Sequence, residues 1–331
     1  MKKNKSALFT TLIISTLILI ALYFTYEKYT FKNVEIVSNA DGADVIIDRK
    51  FAGKTPFKTN LSPGKYLIGL SKKGSVVKYE TIIVEEIFKS YRILMLEGFR
   101  YIKRGSYLFN EKPVSVKGFY LADTEVSNQL YLEFCNETGH KLPYYADKEV
   151  FVGNDKPVLG ITFEDAVIFS QWYSDRTGYK CRLPYEFEWE FAANKGNLAS
   201  LYPWGSEEKA GFQYMGNYHP YDFVMDQLLP INIDGHQFTS PSKSFPAGNN
   251  QLYDMGGNVF EFMLDSNITK ESHPDLNLVK TPPNLIRIVK GGSWNFNQKL
   301  MLVKSHVYVN GSIARGNNGF RLLIEKPTSP K

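Results

Sequence analysis

The sequence predicts an α+β protein preceded by a small all-β domain and by one transmembrane helix, and three observations carry that reading. An uncharged apolar run occupies Leu8 to Tyr26. From Asn33 to about Leu96, short β-rich segments alternate with glycine and proline turns. Beyond that junction, two segments carry helix start and stop signals within a long stretch of aromatic and turn residues. A chain of 331 residues is long enough for two or three domains of roughly 100–200 residues each. With 43% hydrophobic and 15% aromatic residues it is a folded chain that favours β and irregular packing over helical bundles. Its net charge of +5 is dispersed, with no basic block after the N-terminus, which argues against a nucleic-acid partner.

The first element is the apolar run. Met1-Lys2-Lys3-Asn4-Lys5 is basic and Leu8 to Tyr26 carries no charge; at about 1.5 Å per residue such a helix crosses a hydrocarbon core of roughly 30 Å. The run is longer than the core of a cleaved signal peptide and leaves through bulky Leu22-Tyr23-Phe24, so it reads as an uncleaved anchor. Lysines ahead of it keep the N-terminus cytoplasmic and send the chain after Glu27 across, to the periplasm or the exterior. No cysteine stands near the run to take a lipid. The expected organisation is a cytoplasmic tip and single-pass cell-membrane anchor over 1–30, a β domain over 33–96, a larger domain over 100–325 and a tail over 326–331.

The β domain is read from Val34-Glu35-Ile36, Val45-Ile46-Ile47, Tyr66-Leu67-Ile68 and Thr81-Ile82-Ile83-Val84, separated by Asp41-Gly42, Ala52-Gly53 and Ser62-Pro63-Gly64. The stretch from Ala40 to Asp48, followed by Gly53-Lys54-Thr55-Pro56-Phe57, resembles the PEGA domain, a β-sandwich-like module of bacterial surface proteins. It departs in Arg49, where a glycine usually follows the aspartate, and in Ala40-Asp41 for Pro-Glu.

In the larger domain Ser127 is placed to cap a helix bearing Leu130, Tyr131 and Phe134, with Gly139 as its stop. Thr162 and Asp165 form a capping-box start to a second helix with Phe169, Trp172 and Tyr173 on its buried side and Gly178 at its end. From Arg182 to Ala193 apolar and acidic residues alternate, a strand-like period, yet Pro184 suits a first helical position and Ala192-Ala193-Asn194-Lys195-Gly196 reads as a helix end. Cys135 and Cys181 match no zinc spacing and read as buried thiols, with one disulfide as the alternative.

One stretch, Leu252-Tyr253-Asp254-Met255-Gly256-Gly257-Asn258-Val259-Phe260-Glu261-Phe262, sets side-chain oxygens and a glycine pair inside an aromatic run. Gly256 and Gly257 take φ > 0 without steric cost, so the turn can aim Asp254, Asn258, Glu261 and nearby carbonyls at one point. Such an oxygen-lined turn suits a hard cation such as calcium. A buried turn whose polar groups bond to neighbouring backbone is the plainer alternative.

Taken in order, Arg182-Leu183-Pro184, Glu188-Trp189-Glu190-Phe191-Ala192-Ala193, Tyr202-Pro203-Trp204-Gly205, Gly257-Asn258-Val259-Phe260-Glu261-Phe262, Lys290-Gly291-Gly292-Ser293-Trp294 and Gly319-Phe320-Arg321-Leu322 resemble the formylglycine-generating enzyme, or sulfatase-modifying factor, family. The resemblance covers roughly 100–325 and implies a C-type-lectin-like fold; Tyr185 and Phe187 depart from its usual Thr and Ala. It also implies two structural calcium sites. One falls on Asp254, Gly257, Val259 and Glu261, with carbonyls from Gly257 and Val259. The other falls on Asn217, Tyr218, Asp234 and His236, where His236 offers only its carbonyl.

The family's oxidases bind copper through two cysteines, the first three residues beyond the serine of Gly-Gly-Ser and the second five further on, since soft thiolates select Cu(I). Here those positions are Phe296 and Met301, so no copper and no formylglycine-forming oxidation are expected. An iron-dependent branch of the superfamily carries a three-histidine site largely on an additional helical-bundle domain, which this chain lacks. His140, His219, His236, His273 and His306 show no paired ligand spacing, and no G-x-S-x-G elbow, phosphate loop or zinc signature is present. Asp265, Glu271 and His273 are the remaining acid-base candidates.

The resemblance places the family's substrate groove on the segment from Trp294 to Asn318. That segment carries Phe296, Met301 and Tyr308 as candidate ligand contacts among Asn295, Asn297, Asn310 and Asn317, a mixture of aromatic anchors and adaptable amides suited to recognition; Trp294, within the family motif, reads as core. The function expected is that of a membrane-anchored, exported, non-oxidase member of the family that binds an envelope protein or glycan partner. The alternatives are an enzyme of different chemistry on the same fold and a diversified C-type-lectin-like ligand-binding protein.

Overall fold

The structure is a computed structural model that describes residues 13–21, 23, 32–85, 88–210, 213–219, 221–222, 227–228, 233–265 and 282–327. Residues 13–21 and 23 are helical and exposed. No helix among the described residues is long and apolar enough to cross a membrane; the other positions of the run from Leu8 to Tyr26 lie outside the described residues. The chain divides into two compact units, Met1–Glu97 with Pro327–Lys331, and Gly98–Lys326.

In the first unit, β1 (Lys32–Val37) lies between β4 (Phe57–Leu61), antiparallel to it, and β7 (Phe88–Arg92), parallel to it. A second sheet runs in the order β3 (Lys50–Lys54), β2 (Asp44–Ile47), β5 (Gly64–Ser71), β6 (Lys78–Val84), all antiparallel. Val34, Ile36, Val45, Ile68, Leu70, Ile82 and Val84 form the core of this unit. Ala52-Gly53, read as a break, lies inside β3; a Cβ on Gly53 would meet the Phe57 ring. The turn into β3 holds Asp48 and Arg49 at φ 48° and 69°. Arg49 therefore occupies the left-handed conformation in which the family uses glycine, at a steric cost that glycine avoids.

The second unit opens with β8 (Phe99–Ile102), the hairpin β9 (Gly105–Phe109) and β10 (Lys112–Val116), and β11 (Phe119–Ala122). Its helices are α1 (Asn128–Thr138), α2 (Phe163–Thr177) and α3 (Glu186–Asn194). Ser127 Oγ accepts the Leu130 N–H, the Thr162 and Asp165 side chains form a reciprocal capping box, and Gly139 and Gly178 close both helices in the left-handed region. Pro184 lies two positions ahead of the first helical residue, Glu186, instead of occupying it: Tyr185 is the N-cap of α3 and Glu188 accepts its N–H at 2.9 Å.

A four-stranded sheet orders β12 (Cys181–Arg182), β21 (Leu323–Glu325), β11 and β8. Two-residue hairpins pair β13 (Lys209–Ala210) with β14 (Gln213–Tyr214) and β15 (Tyr221–Asp222) with β16 (Gln227–Leu228). The sheet that positions the candidate site orders β19 (His306–Asn310), β18 (Ile286–Lys290), β17 (Phe260–Phe262) and β20 (Asn318–Gly319). Trp189, Leu121, Met255, Met263, Ile288 and Leu323 belong to the main core cluster.

Candidate functional site

The turn ahead of β17 is made of left-handed residues: Asp254, Gly257 and Asn258 have φ of 55°, 96° and 60°. Gly256, expected to share the positive φ, does not; it must be small because a Cβ there would lie 2.6 Å from the Trp204 ring. Asn258 donates its N–H to Asn217 O at 2.7 Å and accepts the Ser240 N–H on Oδ1 at 3.0 Å, so its side chain fastens the turn. Glu261 enters the core on β17. Arg321 donates to Glu261 Oε2 at 2.7 Å and Oε1 at 2.6 Å, and Trp189 Nε1 donates to Oε2 at 2.8 Å. The guanidinium also donates to the carbonyls of Ala122 and Tyr253. The family motif residues Trp189, Glu261 and Arg321 thus meet as a buried, charge-assisted network.

The two implied calcium sets differ in fit. Asn217 Oδ1 is buried and accepts no hydrogen bond. Asp234 accepts N–H groups from Tyr218 and His236 at 2.9 and 3.0 Å, and burial holds its carboxyl above the ordinary range. These oxygens suit a hard cation. His236 contributes no ring nitrogen to the set; its imidazole lies against Phe245. In the other set Asp254 accepts the Lys243 N–H at 2.8 Å, and burial pushes its carboxyl up to about 6. Glu261, in the same set, accepts from Arg321 on Oε1 and from Arg321 and Trp189 on Oε2, which leaves it one carboxylate lone pair, on Oε1, for a further partner. Among the described residues no three His, Cys, Asp or Glu side chains converge as a metal cage, so backbone carbonyls such as those of Gly257 and Val259 would have to complete either shell.

The positions where the oxidases carry cysteine have different fates. Phe296 is 38% exposed, with its ring against Phe260 at 5.2 Å. Met301 is fully buried, and its thioether fills the space in which a Cβ on Gly292 would sit. Met301, expected among the ligand contacts, therefore supports the loop from beneath. Cys135 and Cys181 are free thiols on α1 and β12, and burial pushes both up, Cys181 to about 11.

The pleat of the sheet divides the rest of the expected ligand face. Glu261 pairs with Lys290, Lys290 with His306, and Ile288 with Tyr308. Alternation therefore puts Glu261, Lys290, His306 and Tyr308 on one side and Phe260, with the Phe296 ring against it, on the other. All four amides also make hydrogen bonds within the segment: Asn295 accepts from Ser293 Oγ and from Asn317 Nδ2, Asn297 caps the turn at Lys299, and Asn310 accepts from Ser312. Trp294 packs between Phe151 and Phe238 and donates to Gly316 O. Its neighbour Phe151, with Tyr145 packed against that ring, lines a cavity of about 60 Å³ shared with Asn128, Leu132 and Leu159.

On the Tyr308 side lies a charge network that sequence reasoning missed. Glu186 accepts from His306 Nδ1 at 2.8 Å and Lys290 at 3.2 Å; Glu190 accepts from Lys290, Lys304 and the Tyr107 hydroxyl at 2.8, 2.7 and 2.9 Å. Asp265 accepts the Glu186 N–H; Glu271 and His273 lie outside the described residues. Glu125, also missed, is buried with both carboxylate oxygens unpartnered. An acidic residue beside an apolar strand carries no sequence signal of that kind.

Comparison with known proteins supplies a family. The model of the sulfatase-modifying factor enzyme 1-like domain matches residues 88–326, and that of the PEGA domain matches residues 31–91. The formylglycine-generating enzyme of Mus musculus is 27% identical over 252 residues, covering 62% of this chain and 63% of that protein. The inactive C-alpha-formylglycine-generating enzyme 2 of Mus musculus is 30% identical over 141 residues, covering 42% of this chain and 37% of that protein. The chain therefore spans less than two thirds of the length of these curated relatives. The structure of PvdO from Pseudomonas aeruginosa superposes with a TM-score of 0.52 at 20% identity, over 69% of this chain and 94% of that one, a likeness of fold.

Proposed function

The chain belongs to the sulfatase-modifying factor enzyme 1-like family, and from that premise we propose that it is a member without the oxidase chemistry, a membrane-anchored, exported binding or assembly component of the bacterial envelope. The observation that carries this reading is the pair Phe296 and Met301. A phenyl ring and a buried thioether cannot supply the two thiolates that select Cu(I). Similarity to the inactive C-alpha-formylglycine-generating enzyme 2 of Mus musculus agrees with a catalytically silent use of the fold. The uncharged run from Leu8 to Tyr26, with lysines before it, supports export and anchoring.

The partner in this reading is an envelope protein or a glycan, met on the side of the sheet that carries Phe296. Calcium is a structural ion here. It would be held by the oxygens of Asn217 and Asp234 and by the turn at Asp254, and would neutralise buried carboxylates. The test is direct. Purified protein is loaded with copper and incubated with a sulfatase-derived cysteine peptide, and the peptide is read by mass spectrometry. Unchanged cysteine is expected; formylglycine in the peptide would refute the proposal.

A further inference from the structure

The two sheets of the first unit turn unlike faces outward. Val34 and Ile36 of β1 enter the core, so the pleat sends Asn33 and Glu35 to the outer side, where they stand opposite Asn60, Lys58 and Ser90. That face is polar and solvated. In the other sheet Val45, Ile68, Leu70, Ile82 and Val84 enter the core, and the residues between them face outward. They pair as Phe51 with Ile46, Ile46 with Gly69, Gly69 with Tyr79, Leu67 with Thr81 and Lys65 with Ile83. A Cβ on Gly69 would lie 3.0 Å from the Tyr79 ring and 3.4 Å from Ile46 Cβ, so the absence of a side chain there lets Tyr79 lie across the sheet beside Ile46. The result is an apolar strip, Phe51, Ile46 and Tyr79, with Leu67 and Ile83 next to it. Phe51 is 67% exposed and Ile83 45%.

The sequence that precedes the unit indicates what covers this face. Between Tyr26, where the uncharged run ends, and Lys32, where β1 begins, the chain spans at most about 21 Å even when fully extended. Packed sheets lie about 10 Å apart, so β1 stays within that reach when the opposite sheet rests on a bilayer. The rim of the face has the matching chemistry. Lys65 stands beside Ile83, and Arg49 and Lys50 are exposed in the turn ahead of Phe51; long cations of this kind lie along an apolar boundary with their heads at lipid phosphates. Of the nearby acids, Asp44 is paired with Lys54, Asp48 accepts the Leu67 N–H, and Glu85 is exposed past the end of β6. Strand-to-strand pairing with a second copy along the β3 edge is opposed by Lys50 and Lys54 at its two ends.

We propose that the outer face of the β3-β2-β5-β6 sheet rests on the surface of the membrane, with Phe51, Tyr79 and Ile83 in the boundary between headgroups and acyl chains and Lys50 and Lys65 at the phosphates. This rests on the reading of Leu8 to Tyr26 as an anchor and goes beyond it, because an anchor alone leaves the unit free to swing on the segment before β1. Tethering holds the face at an effective concentration in the millimolar range, so a contact too weak to recruit a soluble protein is occupied here.

The experiment is photolabelling of the full chain in vesicles of phosphatidylcholine and phosphatidylglycerol that contain a diazirine-bearing phospholipid, with the labelled residues mapped by mass spectrometry. Label is expected in the run from Leu8 to Tyr26 and on Phe51, Tyr79 and Ile83, and not on Asn60 or Ser90 of the opposite face. The double variant Phe51→Glu, Ile83→Glu changes exposed side chains only; it should keep the label in the run and lose it from Tyr79 by at least about fivefold, since interfacial binding scales with the apolar area buried. Label confined to the run, equal label on both sheets, or unchanged label on Tyr79 in the double variant would overturn the inference and leave the anchor standing. No label in the run would overturn both. Label confined to the run together with Lys65-to-Lys65 cross-links between copies would assign the face to a second copy and overturn the lipid assignment.

Discussion

Replacing Glu261 by Gln keeps the shape of the side chain and removes its charge, which leaves the Arg321 guanidinium fully buried without its bidentate partner. Breaking a buried ion pair from one side costs about 3–5 kcal/mol, because the remaining charge has lost its compensation. The bonds from Arg321 to Ala122 O and Tyr253 O persist, and the new amide oxygen still accepts one N–H. The lower end, about 3 kcal/mol, is therefore expected. In a domain of this size each kcal/mol moves Tm by about 2–4 °C, so the drop should be about 6–12 °C. Circular dichroism melting with and without excess EDTA is the assay. A residue that acts as a metal ligand loses its effect once the metal is removed, whereas an ion pair does not. A Tm for Glu261→Gln in EDTA within about 2 °C of the parent would refute the assignment of Glu261 to Arg321.

Four further outcomes follow from the same geometry. Phe296→Ala should weaken capture of an envelope partner by more than about 1 kcal/mol, while Tyr308→Ala, on the opposite side of the sheet, should not; equal losses would count against the division. Met301→Ala should lower stability by about 2–5 kcal/mol in thermal or urea melts, through the cavity left under Gly292, and an unchanged midpoint would exclude its supporting role. Burial raises the Glu186 carboxyl, but His306 and Lys290 outweigh it and hold the group below the ordinary carboxylate range. Its contribution is therefore complete above the unfolded value of about 4.3 and is lost as pH falls through the lower folded value. Urea midpoints between pH 6 and 3 should accordingly show a smaller acid loss in His306→Gln than in the parent. Finally, protease added to spheroplasts should remove the chain from residue 33 onward, and a fully protected protein would end the export reading.

Much of the larger unit was legible because its signals are local. Ser127, Thr162 with Asp165, Gly139 and Gly178 each act within one helical turn, and each stands where the caps are found. The stretch at 185–191 shows why pattern alone misleads. Apolar and acidic residues alternate there, yet on a helix positions i and i+4 share a face and i+2 does not. Glu186 and Glu190 accordingly both reach Lys290, while Glu188 turns away to Arg182. The acids alternate because two separate cations on two sides of α3 require them. Strands β3, β4 and β7 were not legible, since Ala52-Gly53 imitates a turn and the pairing of β1 with β7 is 55 residues apart at Asn33 and Phe88. Neither Glu125 nor the partition of Phe296 from Tyr308 has a local signature, because both depend on which segments the sheets bring together.

The exchange of thiols for Phe296 and Met301 changes what the loop after Gly291-Gly292 is able to do. Both glycines take positive φ, 88° and 75°, so the chain turns tightly enough for Gly292 to lie directly on the Met301 thioether. A thiol at 301 would be shorter than methionine and would leave part of that space unfilled, so in this chain the position is matched to packing, not to an exposed metal. Phe296 projects at the surface while its ring leans on Phe260, and its backbone is fixed by the bonds Phe296 N–H to Ser293 O and His219 N–H to Phe296 O. An aromatic side chain that is partly exposed, rigidly backed and held on a fixed loop loses little entropy on contact, which is the condition for an interface anchor. The same two substitutions that remove the thiolates thus give this loop a firm apolar floor and an aromatic contact above it.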